Sequence, residues 1–404
     1  MSNPNNVSLN INHELEFIDG HALNIPTLSI LTEDGDIHPS APAPDISKHT
    51  AIKLYETMRF IRLLDERMQG AQRQGRVSFY MQCLGEEAAV TASAAALDQD
   101  DMIMAQYREQ AALHYRGFTL DQFMNQMFSN ELDLGKGRQM PIHYGSKALN
   151  YMTISSPLGT QIPQATGYAY GQKIKHIDAK TGELASTIDN VTICYFGEGA
   201  ASEGDFHAGL NMAAVHKAPV IFFARNNGYP ISTPADEQFK GDGIASRGVG
   251  YGIKTIRVDG SDALAVYAAT KKAREIAATQ GEPVLIVSIA YRLGAHSTSD
   301  DPSGYRSKDE EANYKTCPIE RFRKWLVKQN WLDDAEDIKA KETIRDDILA
   351  ALKRAEVIDK PALEELISDV YDTPIPSLQR QYDELKTHIK AHPEAYPTTA
   401  GRIK

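Results

Sequence analysis

The chain has 404 residues, of which 42% are hydrophobic and 24% are charged. This length and composition are typical of a soluble, globular, enzyme-sized protein with a large buried core. The formal net charge of −11 argues against a nucleic-acid-binding protein. No run approaches the roughly 20 apolar residues that a membrane-spanning helix needs, so the sequence predicts no membrane association.

The three cysteines, Cys83, Cys194 and Cys317, are too few and too scattered for a disulfide framework or a CxxC metal site. They are expected to be reduced, and Cys194 lies inside an apolar run that predicts a core position. Residues 1–6 lack the charged and apolar regions of a secretion signal and are not rich in arginine like a transit peptide. A cytoplasmic location is therefore expected.

The first part of the chain changes from a polar segment to helical patterns. Residues 1–50 are rich in Asn, Pro and Asp and end in the stretch 39–44, which cannot continue a helix. This composition predicts an extended N-terminal arm. Apolar residues then recur at helical spacing over 51–74 and 84–97, and the pattern at 104–128 favours a third helix.

The middle of the chain alternates short β-branched and aromatic runs with Ala-rich helical stretches. The runs predict four strands: Val191–Phe196, Val220–Ala224, Ile253–Val258 and Val284–Ala290. Runs that are apolar throughout belong to strands covered on both faces. Helical patterns occur at 164–175, 203–216 and 262–279. The alternation predicts an α/β fold with a doubly wound parallel sheet, in which ligands bind beyond the carboxyl ends of the strands.

The composition divides the chain into three parts. They are the arm at 1–50, an α/β domain at 51–317 and a helical C-terminal region at 318–404. Within the last part, helices are predicted at 321–329, 335–357 and 378–392. We expect this charged helical tail to serve in packing or assembly.

Two segments that follow neighbouring predicted strands carry the chemistry. Glu198 stands between Gly197 and Gly199 after the first strand, and Arg225 and Asn227 close the second. The glycines let backbone amides approach a diphosphate closely, and a helix that begins just downstream would aim its N-terminal amides at the same anion. A carboxylate beside a phosphate is sensible if it holds a divalent cation such as Mg²⁺.

The second strand end offers further ligands. Asn227 and the main-chain carbonyl of Tyr229 are suitable oxygen donors for the cation, and Arg225 would add a charge-assisted bond to the phosphate. A glycine pair after a strand is common, and a dinucleotide-binding fold is the nearest rival. That fold would need a glycine where Ser202 stands and an acidic residue at the second strand end, so it is disfavoured.

Glu198 lies 29 residues before Asn227, and this arrangement resembles the thiamin diphosphate fingerprint. The stretches 196–205 and 225–234 resemble branched-chain 2-oxo acid dehydrogenase alpha subunits, and the resemblance covers about residues 50–400. Aspartate is the usual acid, so Glu198 is a departure that keeps the charge and lengthens the arm. The resemblance implies a thiamin diphosphate-binding fold in which Gly199 and Ala200 also contact the cofactor.

The resemblance implies roles for two further segments. Arg108 would contact the diphosphate and Tyr107 would face the cofactor and the substrate; without the resemblance, Arg108 reads as a surface ion-pair residue. Ser156 and Leu158 would approach the cofactor, and Ser156 would also face the substrate. The donors implied for a structural potassium ion are Ser155, Pro157, Thr160 and Gln161. A polar helix cap around Thr160 is the alternative, and Gly159 stands where alanine is more usual.

His296 follows the fourth predicted strand. A lone loop histidine is usually a plain surface residue, but the surrounding run resembles the active-site loop of the family. The resemblance implies that His296 contacts the diphosphate and carries a proton during acyl transfer to a dihydrolipoyl sulfur. Ser297 corresponds to a serine that some relatives phosphorylate, and a phosphate there would repel the diphosphate.

The implied activity is oxidative decarboxylation of branched-chain 2-oxo acids with transfer of the acyl group to a lipoyl carrier. In the family, the glutamate that activates the cofactor belongs to a separate beta subunit, and these 404 residues contain no second thiamin module. An α2β2 heterotetramer that works with a lipoyl acyltransferase core is therefore expected. A pyruvate or acetoin dehydrogenase alpha subunit and a non-catalytic scaffold subunit remain as alternatives.

Overall fold

A computed structural model describes residues 13–42, 44–314 and 316–396. Within these residues, six strands form one parallel sheet in the order β1-β5-β6-β4-β3-β2. The strands are β1 (Thr27–Leu28), β2 (Met102–Met104), β3 (Thr192–Gly197), β4 (Val220–Asn226), β5 (Lys254–Asp259) and β6 (Val284–Ile289). The predicted parallel α/β sheet is thus confirmed.

Fourteen α-helices lie in the described residues. They are α1 (Lys48–Arg73), α2 (Glu87–Ala95), α3 (Gln110–Tyr115), α4 (Leu120–Phe128), α5 (Gln161–Ile174), α6 (Gly204–His216), α7 (Ala235–Gln238), α8 (Ile244–Gly250), α9 (Ala263–Gln280), α10 (Lys308–Asn313), α11 (Pro318–Lys328), α12 (Asp334–Glu356), α13 (Glu365–Ser368) and α14 (Pro376–Ala391). The predicted helical tail is present as α11, α12 and α14. No helix in this part of the chain is long and apolar enough to span a bilayer.

The single helix predicted at 104–128 is wrong. Its first residue belongs to β2, and two short helices, α3 and α4, follow. Gly117 separates them with a left-handed φ of +104°, a conformation that favours glycine and ends a helix. Thr119 then starts α4 with a capping box to Gln122, because each side chain bonds to the backbone of the other residue.

Strands β2, β3, β4 and β6 are buried on both faces, whereas β5 is only partly buried because it carries Lys254 and Arg257. Side chains of β3 alternate between two clusters: Ile193 and Tyr195 join one, while Cys194 and Phe196 join the other. Helices α1, α2 and α9 cover the first face, and α5, α6 and α8 cover the second. The predicted core position of Cys194 is confirmed, since its side chain is fully buried.

Part of the predicted arm joins the sheet. Strand β1 pairs with β5, and the buried residues Ile30 and Leu31 follow it. Their backbone amides donate to Asp262 Oδ2 at 2.6 and 2.7 Å. The same carboxylate caps α9 through its other oxygen. The N-terminal segment is therefore anchored at the sheet edge, on the far side of the sheet from β2.

The sheet topology gathers four loops at one edge. Gly197 of β3 lies opposite Arg225 of β4, so Glu198 and Asn227 emerge side by side. The loops that follow β2 and β6 leave the same edge, because the neighbours β6, β4, β3 and β2 are parallel. Residues that are far apart in the sequence therefore meet at the carboxyl ends of these strands.

Candidate active site at the carboxyl ends of the strands

A cavity of about 220 Å³ opens where the four loops meet. Ten residues predicted for the site line it: Tyr107, Arg108, Leu158, Glu198, Gly199, Ala200, Arg225, Asn227, Tyr229 and His296. Small-molecule sites usually enclose roughly 300–1,000 Å³. The smaller volume is therefore consistent with a site of which this chain supplies one part.

Glu198 is buried without a full set of partners. Its carboxylate is 2% exposed, and Oε2 accepts one long bond from the backbone amide of Asn227 at 3.5 Å. Oε1 has no hydrogen-bond partner among the described residues. Burial, with a contribution from the Glu86 carboxylate, raises the pKa of Glu198 to about 6. A buried carboxylate with a free oxygen is costly unless it is paired, and a bound cation would remove that cost.

Asn227 lies beside Glu198 with its amide held at both ends. Nδ2 donates to Glu86 Oε1 at 2.9 Å, and Oδ1 accepts from the backbone amide of Tyr229 at 3.2 Å. The Tyr229 carbonyl accepts from Arg292 Nη1 at 2.8 Å and keeps a second lone pair. Glu198, Asn227 and Tyr229 thus bring a carboxylate, an amide and a carbonyl to one cavity.

Oxygen ligands of mixed type suit a cation that shares its ligands with a phosphate. In the described residues, no group of three or more His, Cys, Asp and Glu side chains is arranged to hold a metal. A cation beside Glu198 would therefore need oxygens from its phosphate partner or from water. Mg²⁺ is held in this way, by one or two carboxylates together with substrate phosphates, so the residues present fit a magnesium diphosphate.

Two arginines of the cavity, Arg225 and Arg108, are buried, and Arg225 is held by two buried acids. Arg225 donates from Nε to Glu109 Oε1 at 2.7 Å and from Nη1 to Glu86 Oε2 at 2.5 Å. Burial opposes its charge, but Glu109 and Glu86 outweigh burial and raise the pKa of Arg225 above its ordinary value. A phosphate bond would have to come from Nη2 or from the second hydrogen of Nη1, and that contact stays a prediction. Arg108 is 1% exposed, so the alternative of a surface ion pair is wrong.

Arg108 connects two loops of the cavity. Nη1 donates to the carbonyl of Gln82, and Nη2 donates to the carbonyl of His296 at 2.5 Å. Nη2 also lies 3.3 Å from His296 Nδ1. Because a guanidinium can only donate, Nδ1 accepts and the proton of the neutral ring lies on Nε2. The ring of Tyr107 meets the His296 ring edge-on at 6.0 Å.

His296 is neutral in this environment. Burial, followed by the positive charges of Arg108 and Arg292, lowers the pKa of His296 to about 3. Its backbone amide donates to Asp300 Oδ2 at 2.7 Å, which holds the loop. The interpretation of His296 as a plain surface residue is wrong, since the imidazole is partly buried and lines the cavity. Ser297, the next residue, accepts from the Ser299 amide at 3.2 Å.

The segment that carries the potassium prediction is bonded differently. Thr160 Oγ1 lies 3.2 Å from Ser155 Oγ and 3.0 Å from the Pro157 carbonyl, whereas Gln161 Nε2 donates to the Tyr195 carbonyl at 3.0 Å. Ser156 Oγ lies 2.9 Å from His143 Nε2. The cavity described above is not lined by Ser155, Ser156, Pro157, Thr160 or Gln161. The structure therefore brings Ser155, Pro157 and Thr160 together, but apart from Glu198.

The helix-cap alternative for this segment holds for position only. Thr160 is the N-cap residue of α5, but within the described chain its side chain makes no capping hydrogen bond. Gly159 has a left-handed φ of +79°, and a Cβ there would lie 2.6 Å from Glu203 Oε2. Glycine in place of the usual alanine thus matches the local backbone, because an added methyl group would be strained and would displace Glu203.

Several residues around the cavity were missed by sequence reasoning. Glu86 and Glu109 hold the arginines, and Gln106 Oε1 accepts from the Gly197 amide at 2.6 Å. Arg292 joins two loops, since it donates to the carbonyls of Tyr229 and Ile231. Gln106, Glu109 and Arg292 lie within the two segments that resemble the family, around Arg108 and around His296, but sequence reasoning assigned no role to them. Glu86 lies outside every segment to which the sequence analysis assigned a functional role.

The fold and the site define a class of protein. The chain matches the family model of the dehydrogenase E1 component over residues 55–364. That match covers more than half of the chain, so the chain belongs to the dehydrogenase E1 component family, whose members depend on thiamin diphosphate.

The curated relatives narrow the comparison to one kind of subunit. The chain is 48% identical to 2-oxoisovalerate dehydrogenase subunit alpha 1, mitochondrial, from Arabidopsis thaliana, over 95% of this chain and 80% of the relative. It is 49% identical to the 2-oxoisovalerate dehydrogenase alpha subunit of Dictyostelium discoideum, over 92% of this chain and 83% of the relative. It is 47% identical to the alpha subunit of Homo sapiens, over 95% of this chain and 84% of the relative. These matches bear out the resemblance to branched-chain alpha subunits.

The relatives correct one expectation. A cytoplasmic location was predicted because residues 1–6 lack the arginines of a transit peptide, but the names of all three relatives carry the word mitochondrial. The prediction of a cytoplasmic location is therefore wrong. The composition of a few opening residues was a poor basis for it, because it says nothing about the compartment in which the folded domain works.

Proposed function

We propose that the chain is the alpha subunit of the decarboxylating component of a branched-chain 2-oxo acid dehydrogenase complex. It acts in the oxidative decarboxylation of branched-chain 2-oxo acids and in transfer of the acyl group to a lipoyl carrier. The observation that carries this proposal is the buried, incompletely paired carboxylate of Glu198 beside Asn227, at the ends of adjacent strands. The identity to 2-oxoisovalerate dehydrogenase alpha subunits supports it.

The residues divide the work of binding the cofactor. Glu198 Oε1, Asn227 Oδ1 and the Tyr229 carbonyl would hold the Mg²⁺ that accompanies the diphosphate. Arg108 and Arg225 would add charge-assisted bonds to the phosphates, and the backbone around Gly199 would allow their close approach. Thiamin diphosphate, when bound, supplies the carbanion that adds to the 2-oxo carbon and accepts the electrons released with CO₂.

His296 handles the proton in acyl transfer. Its neutral ring carries the proton on Nε2 while Nδ1 faces Arg108, so Nε2 is the atom that donates to a diphosphate oxygen or to the reacting group. A nearby diphosphate favours the imidazolium and therefore raises the pKa of His296 from its low value. This change brings the pKa towards the range in which a histidine can both accept and release a proton.

The neighbouring segment is proposed to hold a potassium ion. Ser155, Pro157 and Thr160 already lie together, and Gln161 begins the following helix. Ser156 and Leu158 lie between these donors in the sequence, and Leu158 reaches the cavity. An ion at this position would fix the turn that presents Leu158 to the cofactor and Ser156 to the substrate.

The site is completed by a second chain. The names of the relatives describe an alpha subunit, which implies a beta partner, and the cavity is small for a whole cofactor. We infer an α2β2 heterotetramer in which the beta subunit supplies the glutamate that activates the aminopyrimidine ring. The heterotetramer passes its acyl group to a lipoyl acyltransferase core.

The test is reconstitution with the beta subunit encoded by the same organism. The purified chain alone should show no decarboxylation, and the mixed heterotetramer should decarboxylate 3-methyl-2-oxobutanoate in preference to pyruvate. Substantial activity without a beta subunit would contradict the shared site. A preference for pyruvate or acetoin would contradict the branched-chain assignment, which the comparisons favour over those substrates.

A further inference from the structure

A second acidic residue lies directly behind the wall of the cavity. Glu86 precedes α2 and has no exposed surface. It does not use its side chain to cap that helix, because it makes no capping hydrogen bond within the described residues. Its carboxylate turns instead towards Asn227 and Arg225, which line the cavity.

The bonds of Glu86 decide which way the Asn227 amide faces. Oε1 of Glu86 accepts from Asn227 Nδ2 at 2.9 Å. An ionised carboxylate only accepts hydrogen bonds, so it must meet the NH₂ end of the amide. The Tyr229 amide at 3.2 Å requires an acceptor and meets Oδ1. Both bonds favour the same orientation of the Asn227 amide. In this orientation Oδ1, and not Nδ2, is the atom that can face the cavity.

The same carboxylate organises the positive charges. Its Oε2 accepts from Arg225 Nη1 at 2.5 Å, and Arg108 Nε lies 4.0 Å from Oε1. Each oxygen of Glu86 thus meets a donor, Arg225 Nη1 on Oε2 and Asn227 Nδ2 on Oε1, so the carboxylate acts as an acceptor on both sides.

We propose that Glu86 is a positioning residue of the metal site, which fixes the Asn227 amide so that its oxygen is presented to the divalent cation. This inference rests on the proposed function, since it assigns a role towards the same magnesium diphosphate. Outer partners of this kind typically change metal affinity by 10–100-fold when they are replaced. Glu86 itself does not line the cavity.

The adjacent residue provides a matched control. Glu87 is also fully buried, but it bonds to Arg62 Nε at 2.6 Å and to the Gly85 amide at 3.0 Å. Neither Glu87 nor Arg62 lines the cavity. Glu87→Gln therefore removes a buried, paired carboxylate of the same helix start without touching the proposed metal site.

The experiment measures how much Mg²⁺ the α2β2 heterotetramer needs for half-maximal binding of thiamin diphosphate, by titration calorimetry. Glu86→Gln should raise that concentration about 10–100-fold, because a glutamine oxygen can serve Asn227 or Arg225 but not both. Glu87→Gln should leave it unchanged. If Glu86→Gln does not assemble, Glu86→Asp replaces it, since the shorter side chain keeps the charge and withdraws the acceptor from Asn227.

A double substitution separates positioning from mere structural support. In Asn227→Asp, the side chain ends in two oxygens, so either one can face the cation and no partner is needed to orient it. The Glu86 carboxylate then repels the new carboxylate at position 227. Glu86→Gln should therefore lower the Mg²⁺ requirement in the Asn227→Asp background, although it raises the requirement in the natural chain. A purely structural role predicts the same sign in both backgrounds.

The outcomes distinguish this inference from the proposed function. If Glu86→Gln and Glu86→Asp bind cofactor with the natural Mg²⁺ requirement while Glu198→Ala loses binding, Glu86 has no positioning role and the proposed function stands. If Glu198→Ala also binds normally, the metal site itself is misplaced. An effect of equal size and sign in Glu87→Gln would likewise overturn the specific role of Glu86.

Discussion

Two segments of the molecule were assigned to ions from the sequence, and they differ in what the chain leaves unsatisfied. At the strand ends, Glu198 keeps a buried oxygen without a partner among the described residues. In the turn before α5, Thr160 and Ser156 already bond within the chain. A cation would therefore satisfy an open oxygen beside the buried charge of Glu198, whereas at the turn it would compete with bonds that the hydroxyls and carbonyls already make.

This contrast predicts how strongly each segment depends on its ligand. Burying the Glu198 carboxylate costs free energy unless a cation neutralises it. Binding of the ligand should therefore depend strongly on Glu198, and the ligand should in turn stabilise the folded protein. Neutral oxygens lose little when the ion is absent, because they can bond to each other. Substitutions should therefore have their largest effects at the strand ends and their smallest effects at the turn.

Glu198→Ala should abolish Mg²⁺-dependent retention of thiamin diphosphate, with a loss of at least about 100-fold in affinity, in line with the loss of a direct ligand. The cofactor-free protein should unfold at the same temperature or higher, because the variant removes a buried carboxylate that lacks partners. Calorimetric titration and thermal melts with and without cofactor measure both effects. A cofactor-free protein that fails to fold would mean that Glu198 is structural.

His296→Asn should lower the rate of acyl transfer to a lipoyl domain by about 10²–10⁴-fold, the usual contribution of a positioned acid or base. Cofactor affinity should change less, because Arg108 and Arg225 remain. Stopped-flow measurement of acyl transfer beside calorimetric binding separates the two steps. Equal losses in both would assign His296 to binding alone.

The free protein should resist protonation of His296. The folded pKa is lowered to about 3 by burial, Arg108 and Arg292, whereas an unfolded histidine titrates near 6.5. The unfolded state therefore binds more protons between these values, so the contribution of His296 to stability is present above pH 6.5 and is lost as the pH falls towards 3. In melts of the cofactor-free heterotetramer, His296→Asn should lose less stability between pH 7 and pH 5 than the natural protein.

Thr160→Val should have the smallest effect. It removes one hydroxyl that bonds to Ser155 or Pro157, which costs about 1 kcal/mol of unfolding free energy. The K⁺ concentration for half-maximal activity should rise by less than about tenfold, since the other donors remain. A K⁺ requirement that does not change would argue against an ion at this turn, and cofactor affinity at saturating K⁺ serves as the control.

Sequence reasoning succeeded where a local pattern determines the structure. Short β-branched and aromatic runs predicted β3, β4, β5 and β6, and the spacing of Glu198 and Asn227 predicted that they would meet, because parallel strands end at one edge. It failed where an element is too short to show a pattern. Strand β1 has two residues and β2 has three, and both are defined by pairing with distant strands.

The second layer of the site was also beyond reach of the sequence. Glu86 and Glu109 bond to Arg225 across 139 and 116 residues, and no motif connects them. Both acids lie at the starts of helices, a position at which an acidic residue does not by itself indicate a role in a binding site. Only the folded chain shows that they neutralise buried arginines and orient an amide, because these roles depend on distances between loops.

The central claim is that one cation joins Glu198, Asn227 and a diphosphate. The most direct measurement is an anomalous difference map of the α2β2 heterotetramer loaded with Mn²⁺ in place of Mg²⁺ and with thiamin diphosphate. The account predicts a single peak about 2.0–2.3 Å from Glu198 Oε1, from Asn227 Oδ1 and from diphosphate oxygens, a range close to the ordinary Mg²⁺ distance. A cation that is bound elsewhere, with Glu198 and Asn227 both outside its ligand shell, would contradict the account.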